Sequence, residues 1–148
     1  MTSHLYSREI LRLATSLAGQ KRLEHPDATS DRRSPTCGSR VIVDVMLDAD
    51  ARVAEIGMEA RACALGQASA ALVVAHAAGA TAEEVQAARH ALRAYLADGS
   101  GDTGFWPGID VFAAARDYPA RHPSILLAFE ALSEAVEAAS GARKGEAA

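Results

Sequence analysis

The sequence predicts a mixed α and β fold, in which a β-hairpin is followed by a helical second half. Residues 40–48 and 52–58 each alternate apolar residues with others, and Asp48-Ala49-Asp50 between them is typical of a turn. Beyond residue 63, apolar residues recur at helical spacing between Gly and Pro breaks. The chain has 148 residues and 49% hydrophobic content, so we expect one compact domain with a single core.

The segment before the hairpin contains a first helix and a mostly polar loop. The apolar side of this helix is formed by residues spaced four, three and four positions apart: Tyr6, Ile10, Leu13 and Leu17. Residues 20–39 are polar and are interrupted by Pro26 and Pro35, which predicts loop with room for a short edge strand over residues 28–33.

The helical half begins with residues 64–78, which are rich in Ala, Leu and Val and end at Gly79. Such an apolar segment predicts a helix at the buried centre of the fold. Thr81-Ala82-Glu83-Glu84 has the spacing of a capping box and starts a second helix that ends near residue 97. A short helix follows around residues 109–115, and Pro123 opens the last helix in its first turn.

Charge and hydropathy exclude several classes of function. The net charge of -4 leaves no diffuse basic surface for a nucleic-acid backbone. The first 16 residues include Arg8 and Arg12 and lack the apolar core of a signal peptide, and no later run approaches a membrane span. We therefore expect a cytoplasmic protein that binds neither nucleic acid nor membrane, with a domain over residues 1–140 and a disordered tail over residues 141–148.

The two cysteines have the settings of site residues. Cys37 lies in a loop with Pro35 and Gly38 just before the first hairpin strand. Cys63 lies between the second strand and the apolar helix, where backbone N–H groups stabilise a thiolate. Thiolates are metal ligands and sulfur nucleophiles, so the pair indicates metal or sulfur chemistry. The alternative, that Cys63 is a small packed residue and Cys37 a loop thiol, remains open.

Three segments in order carry a resemblance to a known family. They are Pro-Thr-Cys-Gly before the hairpin, Cys-Ala-Leu-Gly-Gln-Ala-Ser opening the apolar helix, and Gly-x-Thr-x-Glu-Glu. The chain from about Ser34 to Val136 resembles the U-type iron–sulfur cluster assembly scaffolds (NifU N-terminal, IscU and SufU proteins), and residues 116–121 are most similar to the SufU branch. The resemblance implies an α+β fold with a three-stranded antiparallel sheet packed against a layer of helices.

The same resemblance implies a function. These proteins build iron–sulfur clusters or relay persulfide sulfur from a cysteine desulfurase, which implies that enzyme and other iron–sulfur assembly proteins as partners. Such a chain is a scaffold or sulfur carrier rather than a turnover enzyme, with Cys37 and Cys63 as its reactive and cofactor-binding residues. Its cargo would be a transient iron–sulfur cluster or iron, or zinc. The protein itself would be a monomer or a weak homodimer. The alternative is a degenerate relative that keeps the fold as a protein-interaction or regulatory module.

Two of the four ligand positions implied by the resemblance are altered. Ser39 occupies the position of an aspartate, and Ser124 that of a third cysteine before the last helix. A serine hydroxyl is neutral and hard, so it replaces neither ligand. A site of Cys37, Cys63 and His122, with water in the fourth position, would restore a three-ligand site. His122 as a solvated loop histidine is the alternative, and Asp44 is a second residue that would help to complete the site.

Five other features have a structural explanation beside a functional one. Ser69 fits close helix packing and is given no catalytic role. Arg121 either binds a partner's carboxylate or a persulfide, or is solvated. Residues 105–108 either dock a partner or close a loop over the core. His76 and His90 are packed or exposed rather than ligands.

Overall fold

A three-stranded antiparallel sheet forms one layer of the protein. The computed structural model describes residues 3–35, 38–100 and 106–147. Its strands are β1 (Ala28–Arg33), β2 (Arg40–Leu47) and β3 (Val53–Arg61), arranged in the order β1-β2-β3. The α+β class, the edge strand and the hairpin predicted from the sequence are therefore confirmed.

Helices form the second layer. The α-helices are α1 (Arg8–Ser16), α2 (Ala64–His76), α3 (Ala82–Asp98) and α4 (His122–Ala147). Short 3-10 helices cover Ser3–Tyr6, Ile109–Asp117 and Pro119–Arg121, so the helix predicted around residues 109–115 is present in the tighter 3-10 form. Helix α4 continues to Ala147, so residues 141–147 are helical where the sequence predicts a disordered tail.

The core lies between the sheet and the helices. Val41, Val43 and Val45 alternate along β2 and are buried on the face covered by helix α4. Helix α2 packs against α1, α4 and β3, which confirms its predicted place at the centre. Its small residues let these neighbours approach closely, and they are buried over most of its length.

Local capping explains where α3 begins and ends. The Glu84 N–H donates to Thr81 Oγ1 at 3.1 Å, and the Thr81 N–H donates to Glu84 Oε1 at 3.1 Å. This is the predicted capping box, and the hydrogen bond from the Thr81 backbone lowers the pKa of Glu84. The helix ends at Gly99, whose φ of 79° lies in the left-handed region that glycine adopts without strain.

Hydrogen bonds to Asp44 hold the loop before β1 against the outer face of the sheet. Its side chain is 0% exposed, and it lies between Thr29 of β1 and Gly57 of β3, on the face opposite the helices. Arg22 Nε donates to Asp44 Oδ2 at 2.6 Å, the Leu23 N–H donates to the same oxygen at 3.0 Å, and Thr29 Oγ1 donates to Oδ1 at 2.5 Å.

Glycine at position 57 makes this close approach possible. A Cβ at Gly57 would lie 2.6 Å from the backbone nitrogen of Leu23, which is too short for a non-bonded contact. The Met58 N–H also donates to the Lys21 carbonyl at 3.1 Å. The loop is therefore held both by the buried carboxylate and by the edge of β3.

The hydrogen bonds around Asp44 determine its charge state. Burial by itself raises the pKa of this carboxyl, but the hydrogen bonds from Arg22, Thr29 and Leu23 outweigh it and hold the pKa below its usual range. A carboxyl whose pKa is lower in the folded state stabilises the fold above its unfolded pKa of about 3.9. This stabilisation is lost as the pH falls through the folded-state pKa.

We expect Asp44→Asn to lower the free energy of unfolding by about 2 to 4 kcal/mol at pH 7, because it removes the ion pair and leaves buried donors without acceptors. Chemical denaturation at pH 7 measures the loss. The difference from the wild type should narrow as the pH falls from about 4 through the lower pKa of the folded-state carboxyl, because the wild-type Asp44 then also becomes protonated. Asp50→Asn, in the exposed turn between β2 and β3, is the matched control. Equal stabilities of wild type and Asp44→Asn at pH 7 would contradict this account.

Candidate functional site

Cys63 and the residues that follow Cys37 lie at the same end of the sheet. Arg40 at the start of β2 pairs with Arg61 at the end of β3. This pairing brings Ser39, directly before Arg40, and Ala62, directly after Arg61, to the same end of the sheet. Gly38 has a φ of 72° and turns the chain here, and Thr36 and Cys37 lie outside the described residues.

Cys63 is the first residue before helix α2 and does not cap it. Its backbone is extended, with φ −65° and ψ 172°, and its side chain makes no capping hydrogen bond. The thiol is free and half-buried. The sulfur is therefore not committed to a structural bond, and it lies at the positive end of a helix dipole.

The beginning of α4 packs directly on the first turn of α2. A Cβ at Gly66 would lie 3.3 Å from the Ser124 carbonyl oxygen and 2.7 Å from the Ala62 Cβ. One turn further along α2, Ser69 Oγ donates to the Ile125 carbonyl at 2.5 Å. Ser69 therefore joins the two helices, in agreement with the packing role expected for it. Ser124 lies within about one helical turn of Cys63 along this contact.

The described part of the site is poor in metal ligands. Ser39 and Ser124 are buried, with 4% and 3% of their surfaces exposed, and both hydroxyls are neutral. Within the residues that the structure describes, no three His, Cys, Asp or Glu side chains lie close enough together to hold a metal ion. Cys63 is therefore the soft donor that the described residues supply to this end of the sheet.

His122 lies beside the site but is bonded elsewhere. Its Nε2 is 2.9 Å from the Ala115 carbonyl, so this nitrogen carries a proton and donates to the 3-10 helix Ile109–Asp117. A ligand role for His122 would use its other ring nitrogen, Nδ1, and is compatible with this hydrogen bond, which would orient the ring. That role stays a prediction.

Asp44 does not belong to the site, and its predicted role there is wrong. It follows Ser39 by five positions in a strand, which corresponds to about 16 Å. Both of its carboxylate oxygens accept hydrogen bonds from Arg22, and Leu23 and Thr29 add two more. The carboxylate is therefore a structural group in the middle of the sheet.

The remaining candidate site residues are either packed in the core or exposed on the surface. Trp106 is 2% exposed, its Nε1 donates to the Leu72 carbonyl at 2.9 Å, and its ring contacts Phe129 edge-on. It therefore closes the core and does not dock a partner. His76 and His90 are exposed, and so is Arg121 beside the start of α4.

Sequence reasoning missed a row of arginines at this end of the sheet. Arg33, Arg40 and Arg61 lie directly opposite one another in β1, β2 and β3. They are separated along the chain, so the row becomes visible only from the strand register. The alternating pattern of the hairpin already places Arg40 on the side away from the core.

Comparison with solved structures supports the fold and decides the family. The crystal structure of a nitrogen-fixing NifU-like protein (N-terminal) from Brucella abortus matches with a TM-score of 0.86. The two sequences are 34% identical, and the match covers 94% of this chain and 96% of that one. This chain belongs to the NifU/IscU-like scaffold family. The family named from the cysteine segments is thereby confirmed.

Two further relatives agree with membership of the scaffold family. The iron–sulfur cluster assembly scaffold protein IscU of Thermotoga maritima is 24% identical over 133 residues, which cover 90% of this chain and 93% of that protein. The SUF-system scaffold SufU of Fervidobacterium islandicum, at 20% identity, shares the fold with a TM-score of 0.83 and covers 92% of this chain and 99% of that one. No family model matches the chain.

None of the helices in the described ranges has both the length and the apolar character that a bilayer crossing requires.

We expect Gly66→Ala to lower the free energy of unfolding by about 1 to 3 kcal/mol, because the added methyl group collides with Ala62 and the Ser124 carbonyl. Chemical denaturation monitored by circular dichroism measures this change. Gly141→Ala is the matched control, since a Cβ there meets no atom within 4 Å and alanine favours a helix. If Gly66→Ala is as stable as the wild type, α2 and α4 do not pack as closely as described.

Proposed function

We propose that this protein is an iron–sulfur cluster assembly scaffold in which Cys37 and Cys63 bind iron or a nascent cluster, or accept persulfide sulfur. Membership of the NifU/IscU-like family supports the scaffold function. The observation that carries the role of the cysteines is the pairing of Arg40 with Arg61. This register supports the proposal because it puts the chain after Cys37 and the chain before Cys63 at the same end of the sheet.

The chemistry of the site suits cargo that is held for a short time. Iron–sulfur clusters are bound through cysteine thiolates, and a full set has four ligands. Two protein thiolates leave the remaining positions to sulfide, to a small thiol or to a partner's side chains. A scaffold of this kind would release its cargo more readily than a four-cysteine site.

A resident zinc ion does not fit the donors that the structure describes. Zinc sites have three or four protein ligands, whereas Ser39 and Ser124 offer neutral oxygens where a carboxylate and a thiolate would be required. The two cysteines would reach three ligands only together with His122. We therefore assign zinc no structural role here, and no step of the proposed function passes through it.

The two serines favour a second candidate function. A chain that has lost two of four ligand positions can keep the fold as a protein-interaction module without binding metal. In that case, replacing both cysteines leaves partner binding unchanged, whereas the scaffold function requires both thiols for cargo.

A sulfur donor of the cysteine desulfurase class is the partner that the proposed chemistry requires. Sulfur reaching Cys37 or Cys63 must come from a protein or small molecule that carries it in a reactive form. This partner, a cytoplasmic location and a monomeric or weakly dimeric state are predictions of the proposed function.

Anaerobic reconstitution with ferrous iron, sulfide and dithiothreitol tests the cargo. We expect visible sulfur-to-iron absorption in the wild type, and its loss in Cys37→Ser and in Cys63→Ser, because each variant removes one of two thiolates. Iron and sulfide analysis quantifies the loading, and circular dichroism verifies the fold. His122→Gln keeps the loading if His122 only binds Ala115, and lowers it if the imidazole is a ligand. Colourless wild-type protein with a native fold would count against the scaffold function.

Restoring the two missing ligands should strengthen metal binding. We expect Ser39→Asp combined with Ser124→Cys to raise zinc affinity by at least about a hundredfold, because the site then offers a carboxylate and a third thiolate. Competition with a chromogenic zinc chelator measures the affinity. Ser39→Asp combined with Ser133→Cys is the control, since Ser133 is a buried serine farther along α4. An equal gain in this control would show that Ser124 does not face the site.

A further inference from the structure

A row of three arginines crosses the sheet at the end where Cys63 lies. Arg40 pairs with Arg33 on one side and with Arg61 on the other, and cross-strand partners share a face. Since Arg40 is four positions before Asp44 in β2, the three side chains lie on the outer face, away from the helices. At a strand spacing of about 4.8 Å, the row extends over about 10 Å of backbone. We call it the arginine row.

The arginine row is electrostatically unfavourable in the isolated chain. Like charges directly opposite each other destabilise a sheet, and the row contains two such pairs. Arg40 donates to both oxygens of Asp31, at 2.9 Å and 2.6 Å, while Glu59 Oε2 is 3.7 Å from Arg61 Nε. These hydrogen bonds from Arg40 hold the pKa of Asp31 below its usual range. Three cations therefore face two carboxylates.

The compensating carboxylates lie farther from Cys63 than the arginines do. Asp31 and Glu59 both flank Ile42, two positions along β2 from Arg40. Arg61 is 76% exposed and Arg33 is also exposed, so their guanidinium groups are accessible. The first turn of α2, which starts beside Arg61, contains no acidic residue and adds the positive end of a helix dipole.

We propose that the arginine row is the docking surface for an acidic patch on the sulfur-donating partner protein. This inference rests on the proposed function. Guanidinium groups bind carboxylates in a bidentate geometry, and a row of three offers donors to several carboxylates at once. Binding such a patch also relieves the repulsion within the row.

The position of the row explains why this partner would use it. Arg61 precedes Cys63 by two residues, so their backbones are at most about 7 Å apart. A protein that covers the row therefore also reaches the surroundings of the thiol. The chain as a whole has a net charge of -4, which disfavours a long polyanion such as nucleic acid, so the attraction is confined to an acidic patch small enough to contact only the row.

Association kinetics with the purified cysteine desulfurase of the same organism test the proposal. Arg33→Glu and Arg61→Glu are each compared with the wild type at about 0.02 M and about 0.5 M salt. We expect each variant to lower the association rate about tenfold or more at low salt, and much less at high salt, because salt screens the attraction. Arg8→Glu at the start of α1 is the control, with the same change of charge on another element. It should leave the rate near that of the wild type.

The melting temperature and a neutral variant of Arg61 provide two further tests of the docking role. We expect Arg61→Glu to keep or raise the melting temperature, since a glutamate opposite Arg40 replaces a like-charge pair with an opposite-charge pair. Arg61→Gln provides the neutral variant and should have an intermediate rate. If the association rate and its salt dependence are equal in all variants, the docking role is wrong. The proposed function is then unaffected. Absence of binding by the wild type would overturn the docking role and the sulfur-accepting role of the cysteines, whereas reconstitution tests the binding of iron or a cluster separately. If the wild type binds a short DNA duplex tightly and Arg61→Glu abolishes this binding, the ligand of the arginine row is nucleic acid and not an acidic protein.

Discussion

The register of β2 against β3 is the constraint on which the site depends. Val43 and Val45 are fully buried against the helices, while Asp44 between them points to the outer face. A slip of one residue would expose the valines and direct the carboxylate into the apolar core, so the alternation excludes odd shifts. The hydrogen bond from the Asp48 N–H to the Arg52 carbonyl in the turn fixes the register of the hairpin. The pairing of Arg40 with Arg61 follows, and it puts the chain after Cys37 and the chain before Cys63 at the same end of the sheet.

Structural and functional chemistry are separated along a single strand. The middle of β2 contains Asp44, whose charge is satisfied by Arg22 and Thr29 and whose neighbour Gly57 admits the loop backbone. The beginning of β2, at Arg40, lies at the end of the sheet where β3 leads to Cys63 and its free thiol. A buried carboxylate with four hydrogen bonds stabilises the sheet, whereas exposed arginines and an unbonded thiol remain available to bind other molecules.

Helices α2 and α4 pack closely beside Cys63, although the serines at positions 39 and 124 are poor metal ligands. Gly66 still allows the backbone of Ser124 to approach α2, and Ser69 still joins the two helices through the Ile125 carbonyl. Backbone packing depends on the size of these residues, whereas metal affinity depends on charge and on the sulfur ligand. The fold therefore does not depend on the metal-binding chemistry of the residues at positions 39 and 124. This separation makes the ligand-restoring variant informative.

Elements with local causes could be predicted from the sequence. The alternation in β2, the capping box at Thr81 and the apolar run of α2 each depend on a few neighbouring residues, so each can be recognised in the chain. The role of Asp44, the hydrogen bond of His122 and the arginine row became visible only in the folded arrangement. These depend on residues that are distant in the chain, and their meeting is set by register and packing rather than by local preference.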